Sequence, residues 1–89
     1  MDKQQYEIFK KGFLNDFGNH LRQLRMERNL TQDELGARCF ADAQKIGRVE
    51  RGEYNFNFTS IYIIANGLGV TTEELLHFKG VKKYLELLK

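Results

Sequence analysis

The segment TQDELGARCFADAQKIGRVERG, residues 31–52, decides the fold of this chain. It contains two short helix-like runs separated by a break at residues 40–41. Thr31 opens the pattern T-Q-D-E, a capping box that predicts the start of a helix. Asp42 is a favoured N-cap residue for the second run, and Gly52 is favoured just beyond its end. The segment therefore predicts two helices joined by a tight turn.

The second of these helices, residues 42–51, carries a polar stripe. A helix turns by about 100° per residue, which places Ile46 and Val49 together on the side facing the core. Glutamine pairs with adenine and arginine with guanine in the major groove of DNA, although an ordinary solvated helix is also polar. The stripe alone leaves both interpretations open. It consists of Gln44, Arg48 and Arg51, with Gly47 between them.

Glu50 falls beside the apolar side of the same helix. A carboxylate buried there without a partner would cost several kcal/mol, about the penalty of a broken buried ion pair. We therefore expect a cation next to it, and Arg25 on the preceding helix is the natural candidate.

Composition indicates one globular domain in a reducing compartment. The chain has 89 residues, of which 42% are hydrophobic and 29% charged, values typical of a folded protein. It has no 18-residue apolar run and no signal-peptide pattern, so we expect a cytoplasmic protein without membrane contact. The single cysteine, Cys39, cannot form an internal disulfide and is interpreted as a small core residue rather than a redox switch.

The net charge of +2 does not identify a partner. Residues 31–58 contain four Lys or Arg against five Asp or Glu. The segment quoted above is therefore not a bulk basic patch. If it binds nucleic acid, particular side chains must face the ligand while the acidic ones point away.

The N-terminal half outside the central segment is also predicted to be helical. Apolar residues recur at spacings of three and four rather than two, which predicts an all-α fold. Residues 1–15 are expected to form an amphipathic arm. A first main helix is expected from about residue 15 to residue 28.

Beyond the central segment, a fourth helix is expected to begin after Asn57. A second capping box, T-T-E-E from Thr71, predicts a short fifth helix. Residues 79–89 follow the i, i+3, i+4, i+7 apolar pattern of a last amphipathic helix. That helix could close the core or form a contact with a partner, and the pattern does not distinguish the two.

The stretch FGNHLRQLRMERNLTQDELGARCFADAQKIGRVERGEYNFNFTSIYIIANGLGVTTEELL, residues 17–76, resembles the phage-repressor, Cro-like helix-turn-helix family, also called the xenobiotic-response-element type. Several linked motifs carry the resemblance: L-R-x-L-R, L-T-Q-x-E-L, I-G-R-V-E-R-G and I-I-A-N-G-L-G-V-T-T-E-E-L. It implies a five-helix lambda-repressor-like domain at residues 16–78, between the arm and the C-terminal helix. The helix at 42–51 would then enter the major groove.

The resemblance also implies roles for individual residues. Arg25 and Glu50 match an ion pair that ties the first helix to the third. Ala43, Gln44, Lys45 and Arg48 occupy the positions that face bases. Gln32, Arg51, Asn55 and Asn57 are expected to contact phosphates.

Three positions depart from the family pattern. Phe40 stands in the turn where relatives usually have glycine, which leaves the conformation of that turn open. Phe56 stands where proline is common. Ala43 is too short to hydrogen-bond a base, although it could contact a thymine methyl group.

Other chemistry has little support in the sequence. His20 and His77 have no partner at metal-ligand spacing, and no nucleophile, base and acid set can be assembled, so we predict no metal, no cofactor and no catalysis. The aromatics of Y-N-F-N-F, residues 54–58, are expected to pack onto the core from a loop, with stacking on single-stranded bases as the alternative.

The sequence thus predicts a sequence-specific regulator of transcription, a repressor or autoregulator, that binds a double-stranded DNA operator. A homodimer would read two half-sites about 34 Å apart. It is expected to pair through the fourth and fifth helices and the C-terminal tail, residues 80–89. Three alternatives stay open: an antitoxin with a toxin partner, a controller protein of a restriction-modification system, and a protein-interaction module that has lost DNA binding.

Overall fold

A computed structural model describes residues 1–88 of the chain, and these form six helices without a strand. The all-α prediction is confirmed. None of these helices is both long and apolar enough to cross a membrane. The helices are α1 (Lys3–Glu27), α2 (Gln32–Arg38), α3 (Ala43–Glu50), α4 (Phe58–Leu68), α5 (Thr72–Leu76) and α6 (Val81–Leu87).

The break predicted near residue 15 is absent, because the arm and the first main helix are one continuous helix, α1. Its 25 residues extend about 37 Å, nearly the whole 39 Å long axis of the molecule. A capping box at Asp2 starts it. Phe9, Phe13 and Phe17 lie one turn apart on one face and pack against the core cluster or belong to it. Through this shared apolar stripe, both halves of α1 pack against the same core.

One core joins the helices. The largest fully buried side chains are Leu21, Leu35, Ile46 and Leu75, which come from four different helices. The core face predicted for α3 is confirmed, since Ile46 and Val49 are 2% and 3% exposed.

Glycine brings α1 directly against the end of α3. A Cβ added at Gly18 would lie 2.5 Å from the carbonyl oxygens of both Val49 and Glu50. Gly52 has φ +75°, and a Cβ there would lie 2.9 Å from the Cα of Asn15. Both contacts exclude any larger residue, so the loop after α3 starts in contact with the middle of α1.

The turn between α2 and α3 has the left-handed conformation that glycine favours, although Phe40 occupies it. Phe40 has φ +53° and is 94% exposed. The Ala41 amide donates to the Gly36 carbonyl at 2.8 Å and closes the turn. The turn geometry is therefore fixed by backbone hydrogen bonding, at the expense of a strained phenylalanine.

Replacing Phe40 with glycine is expected to stabilise the domain. A left-handed conformation costs a non-glycine residue about 1–2 kcal/mol, part of which the greater freedom of glycine in the unfolded chain offsets. We expect a gain of about 0.5–1 kcal/mol in the free energy of unfolding, measured by urea denaturation. Asn29→Gly is the matched control, because Asn29 also has positive φ, +56°, but asparagine tolerates it. An equal gain from both variants would contradict the argument.

α6 closes the core and also leaves apolar side chains exposed. Tyr84 is 6% exposed and packs edge-on against Phe9 and Phe13. Its hydroxyl donates to the Asp16 carboxylate at 2.5 Å. Burial, followed by the contact with that carboxylate, raises the pKa of Tyr84 to about 12, so the phenol stays protonated near neutral pH. The exposed side chains are Leu85, Leu87 and Leu88, and Lys89 lies outside the described residues.

The aromatics of residues 54–58 divide between core and surface. Tyr54 and Phe56 pack against the core, as expected. Phe58 does not: it begins α4, is 71% exposed and makes an edge-on contact with Tyr62 at 5.3 Å. The aromatic side chains stop packing on the core after Asn57, because that residue caps α4 and Phe58 begins the helix.

The two predicted capping boxes have different outcomes: the one at α2 is complete, and the one at α5 is not. The Thr31 hydroxyl accepts from the Glu34 amide while the Glu34 carboxylate accepts from the Thr31 amide, a complete capping box. At α5 the Thr71 hydroxyl accepts from the Glu74 amide, but the Glu74 carboxylate accepts from the Thr71 hydroxyl. The second box is therefore only half formed.

Candidate nucleic-acid interface

The outer face of α3 presents the side chains for which base contacts are predicted. Gln44, Lys45 and Arg48 are exposed, and Ala43 is half-buried at the helix start. The Asp42 carboxylate accepts from the Lys45 amide at 2.7 Å and fixes this N-terminus. All four predicted side chains thus lie on one short, well-anchored helix.

Tyr54 holds the two cations of α3. The Lys45 ammonium lies 5.2 Å from the Tyr54 ring centroid, and the Arg48 guanidinium lies 5.6 Å from it. Such contacts contribute about 0.5–1 kcal/mol at exposed sites, enough to bias two flexible side chains toward one arrangement. Sequence reasoning missed this role. An aromatic residue soon after a helix that ends in cations is the signal that could have indicated it.

Arg25 and Glu50 lie together as expected. The Arg25 Nε atom donates to Glu50 Oε2 at 2.6 Å, and its Nη2 atom donates to Oε1 at 3.1 Å. A third donor, Nη1, bonds the Leu30 carbonyl oxygen at 2.7 Å. The two side chains are only 11% and 4% exposed. The pair therefore fastens α1, the following turn and α3 to one another.

Gln32 completes this network, which the sequence did not indicate. Its Nε2 atom donates to Glu50 Oε1 at 3.1 Å. Gly47 is buried beneath it, and a Cβ there would lie 3.4 Å from that same Nε2 atom. A Cβ there would also lie 3.0 Å from the Arg51 Nη1 atom. Gly47 therefore lies beneath the Arg51 and Gln32 side chains and does not face outward, contrary to its predicted place in the polar stripe. The first residue of α2 is in this way tied to α3.

Arg51 is exposed but paired. Its Nε and Nη2 atoms donate to the Glu53 carboxylate at 3.0 and 3.3 Å. The hydrogen bond from Arg51 lowers the pKa of Glu53, so Glu53 is ionised near neutral pH. Because both side chains are more than half exposed, an incoming phosphate can compete for the guanidinium.

Asn55 and Asn57 differ in their contacts. Asn55 is exposed on the loop between α3 and α4. The Asn57 side-chain oxygen accepts from the Ser60 amide and hydroxyl at 3.1 and 2.9 Å. Asn57 therefore uses its oxygen as a helix cap, and only its amide group is left to meet a phosphate.

A polar groove runs between α1 and the α2–α3 pair. Arg22 and Arg51 border it, and its floor includes Gly47. Gln32, at the start of α2, also lines it, so two of the predicted phosphate-contacting residues, Gln32 and Arg51, lie at one groove. The remaining lining is also polar: Asn15, Asn19, Arg25, Gln32 and Glu50.

Comparison with known proteins identifies the segment that carries this surface. A family model described as "Helix-turn-helix domain" matches residues 16–78. An uncharacterised HTH-type transcriptional regulator, y4dJ, from Sinorhizobium fredii is 37% identical over 59 residues, covering 66% of this chain and 77% of that protein.

Two solved structures show the same fold. The restriction-modification controller protein C.AhdI from Aeromonas hydrophila is 35% identical, with a TM-score of 0.68 over 70% of this chain and 94% of that one. The controller protein C.Esp1396I, solved as a tetramer in complex with its natural 35 base-pair operator, is 26% identical. Its TM-score is 0.66 over 82% of this chain and 95% of that one.

Proposed function

The chain belongs to the helix-turn-helix domain family of DNA-binding transcriptional regulators, and we propose that α3 is its recognition helix. The observation that carries the proposal is the outer face of α3, where Gln44, Lys45 and Arg48 are exposed. The helix beneath them is fixed by the buried Arg25–Glu50 pair. A rigid helix with exposed polar side chains is what base reading in the major groove requires.

Within that groove each side chain has a distinct role. Gln44 can pair bidentately with adenine and Arg48 with guanine, while Ala43 can contact a thymine methyl group. Lys45 adds a further donor. Its position over the Tyr54 ring, which it shares with Arg48, reduces the rotamer freedom that either side chain would lose on binding.

Phosphate contacts would surround this reading surface. Gln32 at the start of α2, Arg51 after α3, and Asn55 and the Asn57 amide in the next loop border it on successive elements. Such contacts position a protein on DNA without specifying sequence.

We further propose that the protein binds its operator as a homodimer. One short helix reads only a few base pairs, and a two-fold dimer reads two half-sites. Exposed apolar side chains on three helices are the candidates for the pairing contact. They are Phe58 and Tyr62 on α4, Leu76 on α5 and Leu85 on α6. Sedimentation equilibrium of the free protein tests this directly, and a monomer at all concentrations would overturn it.

A role as a restriction-modification controller protein is the second candidate. Its support is the 35% identity to C.AhdI, which this chain covers over 94% of its length. An antitoxin role gains no comparable support from these relatives. A gene for a restriction endonuclease or methyltransferase beside this one would favour the controller role, whereas a small toxin gene would favour the antitoxin.

Titration of the protein against its own upstream DNA and a scrambled duplex, at two salt concentrations, tests the main proposal. A sequence-specific regulator should prefer its operator by about 10³-fold or more and bind more weakly as salt rises. Equal, weak binding to both duplexes would overturn autoregulation. Absence of binding to any DNA would leave the protein-interaction module.

Replacing Glu53 with glutamine is expected to tighten DNA binding. The change frees Arg51 from an exposed ion pair and removes a negative charge beside the phosphates. Exposed ion pairs are weak and screened by salt, so we expect a gain of about 1.5- to 5-fold in affinity for operator and scrambled DNA alike. Glu27→Gln, an exposed acid at the end of α1, is the control. Weaker binding of the Glu53 variant would show that Arg51 needs its partner in place.

A further inference from the structure

We infer that the N-terminal part of α1, outside the segment matched by the family model, contributes its own contact to the DNA backbone through Lys11. This inference rests on the proposed function and extends its footprint. The matched segment begins at residue 16. Lys11 lies more than one turn before it, on the continuous helix described above.

The helical phase of Lys11 places it on the side of α1 that faces the end of α3. At about 100° per residue, Lys11 and Gly18 differ by about 20° around the helix axis. Gly18 is the position where α1 meets the carbonyl oxygens that end α3. Arg22, which borders the polar groove, is also within about 20° of Lys11. These three residues therefore follow one line along α1.

A groove shared with the loop after α3 supports that placement. Lys11 and Leu14 line a shallow groove together with Gly52, Glu53 and Asn55. Asn55 is one of the residues proposed to meet phosphate. This groove and the one bordered by Arg22 and Arg51 lie on the two sides of the contact in which Gly52 packs on the Cα of Asn15.

Charge favours a phosphate at this place. The groove contains two acids, and each already has a cation: Glu7 lies 3.6 Å from the Lys10 ammonium, and Glu53 pairs with Arg51. None of the ion pairs among residues 1–88 uses Lys11, and it is exposed. Lys11 is thus the uncompensated positive charge of the groove.

The dimensions suit an extended backbone contact. Lys11 and Arg22 are eleven residues apart, which corresponds to about 16 Å along the helix. Each DNA strand carries one phosphate per about 3.4 Å of helix axis. A strand that runs along α1 past both grooves would therefore meet Lys11 at a phosphate several positions from the one near Arg22.

The salt dependence of binding by Lys11→Gln tests this inference. Each lost phosphate contact should make the slope of log Kobs against log salt concentration shallower by about 0.9, or about 1.8 for a dimer. We expect operator and scrambled DNA to lose affinity by the same factor, because a backbone contact carries no sequence information. Lys82→Gln is the matched control, because it removes the same charge from an exposed lysine of α6. That helix packs through Tyr84 on Phe9 and Phe13, which lie about 160° around α1 from Lys11.

Each outcome has one meaning. A shallower slope for Lys11→Gln alone, with unchanged circular dichroism, supports the contact. Slopes equal to wild type for both variants, or a loss confined to the operator, would overturn the Lys11 inference while leaving the regulator function intact. If the wild-type protein binds neither duplex, the proposed function itself fails, and the two failures are thereby distinguished.

Discussion

Replacement of Glu50 with alanine should destabilise the domain by about 3–5 kcal/mol, because it leaves a buried guanidinium without its anion. Arg25 would keep only its hydrogen bond to the Leu30 carbonyl, and Gln32 would lose its acceptor. Small domains are stable by about 5–15 kcal/mol in total, so much of the protein would unfold at moderate temperature. Urea denaturation followed by circular dichroism measures the change.

Two further variants separate the charge from its packing. Glu27→Ala removes an exposed acid that lies 3.9 Å from Arg28, and surface changes of this kind stay within about 0.5 kcal/mol. Arg25→Met combined with Glu50→Leu removes both charges, and replacing a whole buried pair with apolar groups is often nearly neutral. We therefore expect the double variant to recover most of the loss. A single Glu50→Ala variant within about 1 kcal/mol of wild type would contradict the importance of the pair.

Local signals predicted most of the helices. Capping residues such as Thr31 and Asp42, and terminal glycines such as Gly52, act within four residues of themselves, so the sequence displays them directly. The continuity of α1 was not predictable in this way. Both of its halves contact Phe78 and Tyr84, more than sixty residues away: Phe13 packs on both rings, Phe17 packs on Phe78 and Asp16 accepts from the Tyr84 hydroxyl.

The strained turn between α2 and α3 is a second feature that the sequence predicted only in part. The tight turn after α2 was predicted, but its conformation was left open because phenylalanine replaces the usual glycine. The Ala41 amide bonds back to the Gly36 carbonyl of α2, and the turn that this bond closes holds Phe40 at positive φ. Local preference is overruled here, and no residue nearby in sequence marks the position.

The candidate site was only partly predictable for the same reason. Helical phase alone placed Gln44 and Arg48 outside and Glu50 inside, and the need of a buried carboxylate for a cation indicated Arg25. Phase cannot show which side chains from other elements join them. Gln32 on the carboxylate and Tyr54 beneath two cations depend on how loops fold back, so the structure was needed to find them.

Replacement of Gln44 with alanine should relax the sequence preference of the protein. A bidentate glutamine–adenine pair contributes about 1–3 kcal/mol of discrimination against the wrong base, and a dimer makes the contact in both half-sites. Gln44 is exposed, so its loss should leave the free energy of unfolding within about 0.5 kcal/mol. Competition binding with operators altered at one base pair at a time will locate the position whose preference disappears.

Gln32→Ala supplies the contrast, because a phosphate contact weakens all sequences about equally. It also removes the hydrogen bond to Glu50, so its folded fraction must be measured before its affinities are compared. The expected pattern is a flat loss for Gln32→Ala and a loss confined to one base-pair position per half-site for Gln44→Ala. If Gln44→Ala instead weakens every operator variant uniformly, Gln44 does not read a base, and Arg48 with Lys45 must carry the discrimination from their position over Tyr54.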